Sequence, residues 1–201
     1  FIPFGSLLVS LFCWKLFKHG LNFKEVYLFC FLGYATHGLL DACTTYGTLL
    51  LWPFSDTRFA WNNISIIDPL LTLPMLTFVI LSITRKTNFF SRVAVIWVVL
   101  YLTVGLIQRE RAIEAGYEIA SSRAHQPTRL EAKPSFGNIL LWKIVYEQED
   151  FFYVDAVRVG ITPSIYEGTK TEKLDLEKHF PWLKIGSQQR KDIKRFQSVS
   201  Y

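Results

Sequence analysis

Charge is scarce in the first half of this 201-residue chain, and acid is scarcest. Before Gln108 the only carboxylates are Glu25, Asp41, Asp56 and Asp68, set against Lys15, Lys18, Lys24, Arg58, Arg85, Lys86 and Arg92. Over the whole chain 19% of residues are charged, below the roughly 25% of soluble domains. Cysteine is limited to Cys13, Cys30 and Cys43, all inside apolar runs, which excludes a disulfide framework and provides no metal-ligand spacing. Zinc-finger spacing and a Gly-rich phosphate loop are also missing. What is present is apolar: 50% hydrophobic residues, 16% aromatic, and a mean hydropathy of +0.22. That composition excludes a disordered or collagen-like chain.

The uneven spread points to a membrane half, residues 1–108, followed by a water-exposed half, residues 109–201. A bilayer core takes about 20 helical residues. Four stretches approach that length: 1–17, 26–47, 64–83 and 93–107. None alternates with the period of two that marks a membrane strand, so a bundle of about four transmembrane helices is expected. The loops after the first and third stretches carry the basic residues, and the loop between the second and third has only Arg58 against Asp56. By the positive-inside rule this places the C-terminal half outside the cytoplasm in a multi-pass protein. Trp52, Phe54, Phe59 and Trp61 suit an aromatic belt at the outer interface. The chain opens on Phe1 within an apolar run, without a charged n-region or a small-residue cleavage site, and further residues are expected upstream.

The net charge of +5 does not point to nucleic acid, because acids interleave with bases through the second half. The one basic run, Arg190-Lys191-Asp192-Ile193-Lys194-Arg195, reads as the solvated face of a helix near 187–196, with Ser187 as its cap. From Gln108 the fourth helix continues, ending before Pro127. Residues 140–147 and 151–158 alternate and are rich in Val, Ile, Tyr and Phe, which predicts an antiparallel hairpin in a small α+β domain. Gly160, Pro163 and Gly168 punctuate the segment after it. His125 and His179 have no partner at metal spacing and read as surface or packing residues, and Trp142 reads as the anchor of a small core.

The chemistry-bearing segment lies in the second stretch. Gly33, His37, Asp41 and Thr45 are four apart, with Thr44 beside that line, and Leu39, Leu40, Ala42 and Cys43 opposite. An ionisable group inside a membrane helix costs roughly 2.5–3.5 kcal/mol on insertion scales, so something must compensate for it. A neutral imidazole and a carboxylate at i and i+4 can ligate one divalent cation, with zinc, manganese or iron all acceptable. A structural His37–Asp41 pair, or helix–helix contact through Thr44 and Thr45, is the alternative. Asp68-Pro69 opens the third stretch, and Asp68 reads equally as a helix cap and as ligand support.

The run His37-Gly-Leu-Leu-Asp41-Ala-Cys-Thr-Thr45-Tyr-Gly47, the Trp52-Pro53-Phe54-Ser55 loop and Asp68-Pro69 together resemble the YdjM-like inner-membrane metal-dependent hydrolases. The segment Arg129 to Trp142, with Pro134 and Asn138, is similar to a later motif of that family, with Ile139 where proline is common. The resemblance implies a bacterial inner-membrane hydrolase with a divalent metal, zinc in the first place, held by His37 and Asp41, with Asp68 catalytic and Thr44 and Thr45 supporting. The family's upstream histidine run is absent, so the resemblance is to an N-terminally truncated copy. An ester or phosphoester substrate at the outer face, small or lipid-like, is the expected target. A non-enzymatic sensor or partner-binding membrane protein is the alternative, and a proton-coupled transporter is disfavoured because no inverted repeat is visible.

Overall fold

A computed structural model describes residues 2–16 and 20–199. The ends of the first expected stretch, Phe1 and Phe17, lie outside the described residues, as does Lys18 of its loop. Four helices occupy the first 122 residues: α1 (Ile2–Leu16), α2 (Phe23–Ala42), α3 (Pro69–Arg85) and α4 (Asn88–Ser122). Strands β1 (Arg129–Pro134), β2 (Leu141–Gln148), β3 (Phe151–Val159) and β4 (Pro163–Glu172) follow, then the short α5 (Leu176–His179) and α6 (Gln188–Val199).

The expectation of four transmembrane helices, and with it a multi-pass bundle, is corrected here. Among the described residues one helix, α4, is long and apolar enough to cross a membrane. At 1.5 Å per residue the 15 residues of α1 reach about 22 Å and the 17 of α3 about 26 Å, short of a ~30 Å hydrocarbon core. Helix α2 has 20 residues, but Lys24 and Glu25 at one end and His37 and Asp41 at the other interrupt its apolar character. It also stops at Ala42, five residues before the end expected from the sequence. Its start is set by a capping box, in which Asn22 accepts from the Glu25 N–H at 3.0 Å and Glu25 accepts from the Asn22 N–H at 2.8 Å.

Helices α3 and α4 form an antiparallel hairpin. Trp97 donates its indole N–H to the Leu70 carbonyl (3.2 Å), and the Ser82 and Ser91 hydroxyls meet at 2.6 Å near the turn. Lys86 takes the left-handed conformation that ends α3 (φ 50°), and Thr87 caps α4. At about 52 Å, α4 exceeds a bilayer core by some 20 Å, and that surplus carries the extramembrane α+β domain.

The sheet is an antiparallel meander in the order β1-β2-β3-β4. One face packs on the C-terminal part of α4, where Ala112, Ala115, Ile119 and Ala120 meet Trp142, Ile144, Tyr146, Val157 and Val159, all buried. Small residues on α4 allow this approach: a β-carbon at Gly116 would lie 2.9 Å from Ile144. Strands β2 and β3 form the antiparallel hairpin that the alternation predicts, turning through Glu149 at φ 53°. Strands β1 and β4 have weaker sequence signatures. Strand β4 is exposed along its whole length, so no apolar alternation marks it.

The direction of the strands places the domain against the helix hairpin. Gln108 donates to the Val159 carbonyl (2.9 Å), and Arg111 donates to the carbonyls of Gly160 (2.6 Å) and Ile161 (3.0 Å). In the β1–β2 loop the Gly137 N–H donates to the Ser65 hydroxyl (3.2 Å), just before α3. Both the β1–β2 loop and the β3–β4 turn therefore lie at the end of the sheet next to the apolar part of α4.

Candidate functional site

The last turn of α2 brings His37 and Asp41 together. Their Nε2 and Oδ2 atoms are 3.4 Å apart, with 74% and 46% of the two side chains exposed. Four-residue spacing on a helix produces this juxtaposition directly. The stripe ends there, because Thr44 and Thr45 lie beyond the helix. The Thr44 hydroxyl donates to the Asp41 carbonyl (2.8 Å), as does the Thr44 N–H (3.0 Å), and Thr44 is buried in a bridge to Ile64. Thr44 thus terminates the helix that presents the pair, while Thr45 does not continue its line.

The segment after Asp41 is held by the return of the chain. Trp61 and Asn63 donate their N–H groups to the carbonyls of Ala42 (2.7 Å) and Cys43 (2.8 Å). Thr48 and Phe59 exchange a pair of 2.9 Å backbone bonds, and Gly47 at φ 61° faces the Phe59 carbonyl so closely that no side chain fits. On this return strand the side-chain oxygens of Asn62 and Asn63 are buried without a hydrogen-bond partner. Unsatisfied buried carbonyl oxygens are uncommon, and they mark the loop beside the end of α2 as short of donors.

Asp68 sits elsewhere in the hydrogen-bond network. It is buried and caps α3: Oδ1 accepts from the Leu70 (3.1 Å) and Leu71 (3.3 Å) N–H groups, with Pro69 at the first helical position. Its Oδ2 accepts from the Tyr101 hydroxyl of α4 at 2.7 Å. Both carboxylate oxygens are engaged, and they join the start of α3 to the middle of α4. Asp68→Ala is expected to lower unfolding free energy by about 1–3 kcal/mol, through loss of the cap and an orphaned Tyr101 hydroxyl. Denaturant titration of the detergent-solubilised protein measures it, and an unchanged midpoint would remove the cap from the account.

Three donors are the minimum protein ligand set for a catalytic zinc. Among the described residues no group of three or more His, Cys, Asp and Glu side chains could hold an ion. The chemistry of the pair itself fits, since neutral imidazole and carboxylate oxygen both accept zinc, manganese or iron.

A second polar cluster, which sequence reading missed, lies where α4 meets the sheet. Arg123, just past the end of α4, forms a bidentate pair with Asp155 of β3 at 2.7 and 2.9 Å. It also donates to the Tyr146 hydroxyl (3.0 Å), which contacts His125 Nδ1 at 3.0 Å. Asp155 accepts from the Gly168 N–H of β4 as well (2.9 Å). Tyr146 stacks on Tyr153 with ring centroids 5.0 Å apart. Burial alone would raise the Asp155 carboxyl, but the Arg123 guanidinium and the Gly168 N–H outweigh it and hold it below the usual carboxylate range. The hydrogen bond to Asp155 raises Arg123 in turn, and burial raises the Tyr146 hydroxyl. The only sequence signal was a lone acid at an inward position of β3.

An apolar helical hairpin, with one helix long and apolar enough to cross a membrane and an α+β domain on its extension, points to a class: a membrane protein with an extramembrane domain. The family model of the YdjM inner membrane protein matches residues 1–112, more than half of the chain, and the chain belongs to that family. The match covers α2, its His37–Asp41 pair, α3 and the apolar part of α4, and ends before the sheet. No curated protein and no solved structure matches the chain.

Proposed function

We propose that this inner membrane protein is a metal-dependent hydrolase of an ester or phosphoester, with His37 and Asp41 as two of its metal ligands. The observation that supports this reading is the pair itself, an imidazole and a carboxylate 3.4 Å apart and open on the last turn of α2. A bound divalent cation would polarise the scissile group and lower the pKa of a bound water. His37 and Asp41 would be the residues that hold it. Asp68 enters as a positioning group, because both of its oxygens already fix α3 to α4. Thr44 supports the site by ending α2 at the Asp41 carbonyl. Arg85 and Lys86 at the end of α3 and Arg92 near the start of α4 favour, by the positive-inside rule, an extramembrane domain outside the cytoplasm.

The deciding experiment is elemental analysis of the detergent-purified protein after dialysis against zinc, manganese or iron, wild type beside His37→Ala and Asp41→Ala. Near-stoichiometric metal in the wild type, lost from both folded variants, is the expected result. Equal metal content in all three would overturn the assignment. Absence of metal throughout would make the pair a structural one and leave a sensor or partner-binding role for the extramembrane domain.

A further inference from the structure

The face of the sheet turned away from α4 carries an open groove of about 440 Å³ at its helix-hairpin end, lined by Asn138, Leu140, Leu141, Ala156, Arg158 and Tyr166. The pleat explains the lining. Trp142 and Val157 point to α4, so Leu141, Ala156 and Arg158 point the other way, and the register pairs Leu141 with Arg158 and Ala156 with Tyr166. Asn138 shapes the rim, accepting from the N–H groups of Leu140 (2.9 Å) and Leu141 (2.7 Å).

Three features identify the occupant. First, the groove lies beside the end of the apolar part of α4: Val159, next to Arg158, is tied to Gln108, which directly follows the apolar stretch 93–107. Second, the two turns at this end expose apolar side chains to whatever surrounds them, with Phe136 75% and Ile161 103% exposed. Third, the lining is apolar around one cation. Arg158 is exposed, its guanidinium makes no hydrogen bond or ion pair with any described residue, and no carboxylate lines the groove. An apolar trough with a single unneutralised guanidinium, at the level where chains meet headgroups, is complementary to one anionic amphiphile.

We propose that this groove binds an anionic phospholipid of the bilayer, its phosphate on Arg158 and its chains along Leu140, Leu141 and Tyr166. The site is independent of His37 and Asp41 and belongs to the sheet, beyond the residues the family model matches.

Native mass spectrometry of the full protein in detergent tests it, with phosphatidylglycerol, phosphatidylcholine and glycerol phosphate each added alone. The wild type is expected to retain phosphatidylglycerol in preference to phosphatidylcholine. Arg158→Ala should weaken that retention about tenfold, the loss expected for one charge-assisted contact, while Arg158→Lys restores part of it. Near-UV circular dichroism checks that each variant keeps the fold, which an exposed, unpaired side chain permits. Unchanged retention in Arg158→Ala would overturn the proposal. So would equal retention of phosphatidylcholine, and so would glycerol phosphate binding as strongly as the lipid, which would reassign the groove to a free phosphate ester.

Discussion

Asp155→Ala is expected to destabilise the extramembrane domain by about 3 kcal/mol at neutral pH. Breaking a buried ion pair by removing one partner costs about 3–5 kcal/mol, because the other charge is left uncompensated. The lower end applies because 26% of the Arg123 side chain is exposed and can recover some solvation, whereas the Asp155 side chain is 1% exposed. The substitution also leaves the Gly168 N–H short of a partner and removes both bonds that hold the Arg123 guanidinium to β3, which loosens β4 and the end of α4 together. The effect has a defined pH dependence. The folded-state pKa of Asp155 lies below its unfolded value, so the unfolded chain binds the proton more readily. The stabilisation is complete above the unfolded carboxylate value, about 4, and is lost as pH falls through the lower folded value. Wild-type melting temperature should therefore drop on acidification below pH 4, and Asp155→Ala should show a smaller drop. Thermal melts of the full protein followed by near-UV circular dichroism measure both. Coincident melts at pH 7 would show that the pair does not hold the domain.

Trp142→Ala is expected to cost about 3–5 kcal/mol, the usual penalty for emptying an aromatic site in a packed core. Trp142 is fully buried between the sheet and α4, and its indole N–H is satisfied by the Ile139 carbonyl at 3.0 Å. It belongs to the buried cluster between α4 and the sheet, which is packed on helix and strand backbone that cannot collapse fully into the void. Unlike Asp155→Ala, this variant should lose the same stability at pH 4 and pH 7, since no titrating group changes its environment. Parallel melts of the two variants across that range separate the charge contribution from the packing contribution. A Trp142→Ala midpoint within a degree of wild type would mean the domain is held by the polar cluster alone.

The arrangement of helices and sheet was partly legible in the chain. Apolar runs, the long continuation past Gln108 and the alternation in 140–158 led to the helix positions and the hairpin. The count of crossings did not follow, because apolar composition specifies burial or lipid and not length: α1 and α3 are apolar but short, and α2 ends at Ala42 where Thr44 takes the Asp41 carbonyl. Family membership was legible from motif residues within 37–70, where the family model also matches.

Local spacing carries the His37–Asp41 pair, since i and i+4 meet on any helix, and the cap at Asp68-Pro69, since both residues act within one turn. These need only nearest neighbours along the chain. Tertiary structure alone decided that Asp68 also bonds Tyr101, 33 positions away, that Arg123 finds Asp155, and that the Arg158 side chain lines an apolar groove without a partner among the described residues. Those outcomes depend on strand register and on where α4 leaves the apolar environment, and no local pattern encodes the distance between residues that packing brings together.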